Sequence, residues 1–137
     1  MVSVMGGLAL DDLARRADLI FAEIGAVSAS AELVAAGLIN QAEMEEVRQA
    51  GATGEILGHF FDSEGFSIET EATRRIVTLP LEDLRGRRIV AIAGGAAGAS
   101  AVAAVLESRL LNGLIIDEAT ALEIVETQES KTPRLEH

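Results

Sequence analysis

Cysteine is absent from this 137-residue chain, which rules out disulfides, thiolate nucleophiles and cysteine-ligated metals. Tryptophan and tyrosine are absent as well, and aromatic residues make up only 3%. A core must therefore come from small and branched side chains, a composition that suits a sheet covered closely by alanine-rich helices. His59 and His137 are the only histidines, too few donors for a structural zinc site. No apolar run approaches the ~18 residues of a membrane span. The first residues show no charged segment followed by a long apolar stretch, so no secretory leader is expected.

Positive charge is scarce too. The formal net charge is -11, and a surface this acidic repels phosphate backbones. Arg74, Arg75, Arg85, Arg87 and Arg88 cluster locally but read as solvated strand ends and a turn. The expectation is a cytoplasmic protein with no cofactor, no metal, no membrane contact and no direct hold on nucleic acid. The length suits one domain, assigned to residues 1–130. Residues 131–137 read as a disordered tail, and Leu135-Glu136-His137 looks like the start of an affinity tag.

What the chain does contain is a run of alternating strand and helix signals. Val2 to Met5 is short and apolar and is followed by Gly6-Gly7; Leu8 to Ala14 reads as a short helix. Asp18 to Gly25 reads as a buried strand, and Ser28 to Gly37 as a brief helix. Asn40 is placed to cap a helix over Gln41–Ala50, with Glu43 completing a capping box. Gly54 to Phe61 is ambiguous: Ile56, Leu57, Phe60 and Phe61 recur at helical spacing, yet Gly54 and Gly58 weaken a helix. Asp62 to Gly65 is a turn signal, Phe66 to Ile68 a returning strand, and Arg75 to Leu79 a strand candidate. From Arg88 the pattern is plainest. Ile89 to Ala93, Gly94-Gly95, an alanine-rich helix over Ser100–Leu111, a strand at Leu114–Ile116 and a helix over Asp117–Val125 make a βαβα run with parallel strands.

Ligands of open parallel sheets sit beyond the carboxyl ends of strands. Three such ends are visible, at Glu23-Ile24-Gly25, Gly94-Gly95-Ala96 and Asp117-Glu118. The double glycine could let backbone N–H groups approach an anion or hydroxyl, or could be only a tight turn with close helix packing. Neither a P-loop nor a full dinucleotide fingerprint is present. Asp117 is either a helix cap or a ligand group. Glu23 interrupts an apolar strand, and an unpaired buried carboxylate is costly, so it faces a crevice, meets an arginine or is a surface residue at the strand end. No nucleophile–base arrangement argues for an enzyme.

These stretches resemble the effector-binding domain of the SorC family of bacterial sugar-binding transcriptional regulators. The matching segments are Ala17 to Gly25, Ala36 to Ile39, Gly51 to Asp62, and Pro80 through Ala121. The resemblance implies an α/β fold with a Rossmann-like parallel sheet, as in ribose-5-phosphate isomerase and glucosamine-6-phosphate deaminase, here incomplete. It implies a ligand-sensing and oligomerisation module that takes a small sugar, polyol or sugar phosphate and forms homo-oligomers. Operator DNA would be read only through a domain this chain does not carry. The candidate ligand residues are then Glu23, Gly25, Gly94, Gly95 and Asp117 from the strand ends, Gly98 from the helix start after the double glycine, and Asp62, which the resemblance aligns to the family acid that contacts ligand hydroxyls. Two departures stand out. Glu23-Ile24-Gly25 replaces Gly-Ile-Gly, and Gly98 stands where the family has a phosphate-contacting lysine. A small sugar-phosphate isomerase-like enzyme and a structural fragment without ligand are the competing expectations.

Overall fold

The structure is a computed structural model that describes residues 19–28, 31–94 and 97–131, with side chains described as far as residue 128. The elements run β1 (Leu19–Ala26), α1 (Glu32–Ala35), α2 (Gln41–Gln49), β2 (Gly54–Ile56), β3 (His59–Phe61), β4 (Ser67–Ile68), α3 (Glu71–Arg74), α4 (Leu81–Leu84), β5 (Arg88–Ala93), α5 (Gly98–Glu107), β6 (Gly113–Ile116) and α6 (Glu118–Lys131). The strands form one sheet in the order β4-β3-β2-β1-β5-β6. The stretches expected at Val2–Met5 and Leu8–Ala14, and the tail from residue 132, lie outside the described residues.

The expected Rossmann-like parallel sheet is corrected by the strand pairing. β5 runs parallel to both β1 and β6. The pairs β1–β2, β2–β3 and β3–β4 are antiparallel. The sheet is therefore mixed, with more antiparallel pairs than parallel ones. The cause lies in the segment whose spacing imitates a helix. Leu57 and Gly58 take φ of 54° and 79°, the left-handed pair that closes a two-residue hairpin between β2 and β3. The sheet then separates residues that a helix would have put together. Ile56 and Phe61 go to one face, Phe60 to the other. The turn at Asp62–Gly65 returns the chain as β4, closed by Gly65 N–H donating to the Asp62 carbonyl. Arg75–Leu79 forms no strand: it leaves α3 as an irregular connection that buries Ile76 and Leu79.

Other local expectations are met by their stated causes. The Asn40 side chain accepts from the Glu43 N–H at 2.8 Å, and Glu43 accepts from the Asn40 N–H at 3.0 Å, so two of the orphan donors of α2 are satisfied. Met44 and Val47 are the buried stripe of that helix.

One sheet face carries Ile20, Ile24, Ile56, Phe61, Ile89, Ala91 and Ala93, covered by α5 and by Ile124 of α6. Alanines on α5 let it sit close over β1 and β2. Gly54 sets the limit: a Cβ there would lie 2.4 Å from the Ala101 carbonyl oxygen. The opposite face is divided. Over β2–β4, the buried Phe60 packs with Val27, Leu33, Ile39, Met44, Val47 and Ile76 beneath α1–α3. Over β1, β5 and β6, the register instead lines up Phe21 with Val90 and Gly113, and Glu23 with Ile92 and Ile115. Ile115 keeps 55% of its surface exposed and Ile92 36%.

Candidate functional site

The parallel strands bring their carboxyl ends to one side of the sheet. The register places Ala93 beside Ile116 and Glu23 beside Ile92, so Gly25, Gly94 and Asp117 follow on neighbouring strand ends. Adjacent strands are about 4.8 Å apart, which sets the scale of this edge. Gly94 is exposed, and neither it nor Gly98 has any heavy atom within 4 Å of the place a Cβ would occupy. Gly98 opens α5 with φ of +80°, a conformation strained for lysine or any other L side chain. Gly95 lies outside the described residues. Glu23 is exposed and shares a sheet face with Gly25.

Two sequence-derived candidates have their polar atoms engaged locally. Asp117 accepts from the Thr120 N–H at 3.0 Å and from the Thr120 hydroxyl at 2.8 and 2.9 Å, which caps the start of α6. Those hydrogen bonds, the backbone one foremost, hold its carboxyl below the usual aspartate range. Asp62 stands two strands out from β1, after β3. Its Oδ1 accepts from the N–H groups of Glu64 at 2.9 Å and Phe66 at 3.0 Å. The second oxygen, Oδ2, takes no part in those two bonds. Asp62 therefore lies across the antiparallel half of the sheet from the Gly25–Gly94 edge rather than beside it.

The residue that sequence reasoning missed is Glu55. It pairs with Gly25 across β1 and β2, so its side chain shares the face of Glu23 and Gly25. Its carboxyl is enclosed, and one oxygen, Oε2, accepts from the Gly58 N–H at 2.9 Å. The other, Oε1, lies where a methyl group on Gly25 would come within 2.6 Å of it. Among the described residues, Oε1 has no hydrogen-bond donor. Burial pushes the carboxyl up to about 7, against the pull of the Gly58 N–H, with repulsion from Glu32 adding to the rise. The available signal was a charged residue between Gly54 and the apolar Ile56-Leu57 pair. Its significance depends on which strand it faces.

Among the described residues, no lysine or arginine occurs in 19–28, 31–47, 49–73, 89–94, 97–108 or 110–130, the stretches that line this edge. The arginines at 85, 87 and 88 stand at or before the opposite, amino end of β5. The edge is thus acidic, with Glu23, Glu55 and Glu32 around a glycine floor. Such a set accepts hydrogen bonds from hydroxyl or amino groups and has no point charge for a phosphate.

A separate cleft of about 170 Å³ is lined by His59, Ser67, Glu69, Thr73, Thr78 and Leu79, among others. Much of its polar lining is committed. His59 Nε2 contacts the Leu79 carbonyl at 2.7 Å, Thr78 donates to the Leu57 carbonyl, and Thr73 belongs to the α3 capping box. Burial pushes the His59 imidazole below its ordinary pKa. Among the described residues no three His, Cys, Asp or Glu side chains gather to hold a metal, and no helix is long and apolar enough to cross a membrane.

Comparison with known proteins follows the same outline. Residues 9–126 match the domain family described as "Putative sugar-binding domain". The erythritol catabolism regulatory protein EryD of Brucella abortus is 44% identical over 114 residues, covering 83% of this chain and 36% of that protein. The transcriptional regulator LsrR of an Enterobacter species is 35% identical over 112 residues, covering 79% and 35%. The chain therefore spans about a third of the length of these relatives. Among solved structures, a DeoR family transcriptional regulator from Listeria monocytogenes superposes with a TM-score of 0.73 at 25% identity, over 85% of this chain and 47% of that one. A SorC family regulator from Enterococcus faecalis gives 0.60 at 31% identity, over 85% and 46%.

Proposed function

Because the chain belongs to the sugar-binding domain family of SorC-type transcriptional regulators, we propose that it is a ligand-sensing module whose effector is a small neutral polyol or sugar. The effector sits at the carboxyl ends of β1 and β5. The observation that carries this reading is the Glu55 carboxyl, enclosed against Gly25, with neither a donor to its second oxygen nor a cation on this edge among the described residues. Glu55 and Glu23 accept hydrogen bonds from vicinal hydroxyls, beside the exposed backbone of Gly94. Asp62 Oδ2 remains a candidate for a longer ligand that reaches across to β3. In a whole regulator the bound state would act on operator DNA through other parts of the protein and within a homo-oligomer; a chain of charge -11 is unsuited to touching DNA itself.

Calorimetry with erythritol and erythritol 4-phosphate tests the reading. The polyol is chosen as a probe because the Brucella relative is named for erythritol catabolism. Saturable binding of the neutral form is expected. A hydrogen bond to a charged group is worth roughly 1.5–3 kcal/mol, so Glu55→Gln should weaken binding about 10- to 100-fold. Tighter binding of the phosphate, or unaltered affinity in Glu55→Gln, would sink it. Turnover of either compound would favour a sugar isomerase-like enzyme instead.

A further inference from the structure

The cleft beside the β2–β3 hairpin has polar groups that the fold leaves uncommitted, and they share one character. Its floor is apolar, with Phe60, Ile76 and Leu79 buried beneath it. Above that floor stands His59. The Leu79 carbonyl can only accept, so its 2.7 Å contact with Nε2 fixes the proton of the neutral ring on that nitrogen. Nδ1 is then a bare acceptor on a ring that lines the cleft, and among the described residues no donor reaches it. Burial favours the neutral ring, opposed first by the Leu79 carbonyl and then by the charge of Glu69.

Glu69 lines the same cleft, close enough for its charge to act on the imidazole. The cation nearest to it among the described residues is Arg74, whose Nε lies 4.0 Å from Oε2. The two side chains keep 70% and 69% of their surface exposed, so the pair is loose and screened by solvent. The cleft therefore offers two acceptors, one of them charged, over an apolar floor.

We propose that this cleft binds a small organic ammonium, a protonated primary amine on a short apolar stem. The ammonium donates to His59 Nδ1 and to the Glu69 carboxylate, and the stem lies against Ile76 and Leu79. An ammonium has three donors and no acceptor, which suits that pair. An anion would face Glu69 and a ring nitrogen without a hydrogen to give, on a chain whose net charge of -11 already repels it. A polyol would leave the apolar floor uncovered, and a plain hydrocarbon would leave both acceptors unmet. The proposal does not rest on the effector assigned to the Gly25–Gly94 edge, because none of the acceptors it uses belongs to that edge.

The ring resonances of histidine test it in the full chain. His59 and His137 are the only two histidines, so the spectrum is simple, and His137→Ala assigns it. At about pH 8 the imidazole is neutral and an alkylamine is still charged. n-Butylammonium chloride should shift the His59 ring saturably and leave His137 in place, while n-butyrate and n-butanol should not saturate over the same concentrations. Glu69→Gln should weaken the ammonium about two- to fivefold, and Arg74→Gln, which frees the carboxylate, should tighten it about twofold. Both positions are exposed, so neither change threatens the fold. The proposal is overturned by a His59 shift that never saturates or that His137 shares. Saturation by butyrate or butanol as tight as by the ammonium, or an affinity that Glu69→Gln leaves unchanged, overturns it equally.

Discussion

Replacing Glu55 with Gln should change how stability depends on pH, and the direction follows from the burial of this one carboxyl. The group moves from an ordinary value of 4.5 to about 7 in the folded chain. The folded state therefore holds a proton that the unfolded state has already released between those two values. The stabilisation from that proton is complete below pH ~4.5 and is lost as pH rises through ~7. Each unit is worth about 1.36 kcal/mol, so the ionised carboxyl costs the fold on the order of 3 kcal/mol above neutrality, an upper bound for a group beside a solvent-facing edge. Gln cannot ionise, and its amide oxygen can still accept from the Gly58 N–H. Urea denaturation of both proteins at about pH 5 and about pH 8 isolates the term, because other titrating groups cancel in the difference. Relative to the parent, Glu55→Gln should gain roughly 1–3 kcal/mol on going from the lower to the higher pH. Parallel pH profiles for the two proteins would show that the carboxyl is not enclosed, and the reasoning would fail. A bound polyol that donates to the ionised carboxyl should in turn lower its pKa, so effector affinity should rise with pH through the same window.

Two glycines give further expected outcomes. Gly54→Ala would press a methyl group onto the Ala101 backbone, which cannot swing aside, so it should lower stability by about 1–3 kcal/mol in chemical denaturation. Gly25→Ala meets only the movable end of the Glu55 side chain; it should cost about 1 kcal/mol or less in stability while cutting polyol binding by about tenfold or more in calorimetry.

The parts of the fold that could be read in advance are those with a local cause. The apolar runs at Leu19–Ala26 and Arg88–Ala93 are strands, and the Asn40–Glu43 pair does start α2. The β5–α5–β6 unit has the parallel register its double glycine and apolar runs suggested. The class of the sheet was not legible, because it turns on strands of two or three residues and on a leucine, Leu57, in a left-handed conformation that leucine seldom adopts. The site divides in the same way. Glu23, Gly25 and Gly94 are candidates by the rule that ligands sit at strand ends, and the structure sets these three on neighbouring strand ends. Glu55 could not, because its enclosure comes from lying opposite Gly25 in a register that no sequence neighbour reveals.

β1 has to find β5 across an intervening stretch that holds three strands and four helices, whereas β2, β3 and β4 pair with their immediate neighbours through short turns. Closing the long connection costs more chain entropy than closing the hairpins, so the β1–β5 pairing should form after the local hairpins have given it a surface to dock on. The acidic edge at Gly25 and Gly94 straddles that late-formed junction. An effector bound there would hold together the two halves of the sheet that assemble last. Its presence would therefore slow unfolding of the whole domain rather than merely quieten a loop, and deuterium exchange would register the ligand as protection spread along β1 and β5.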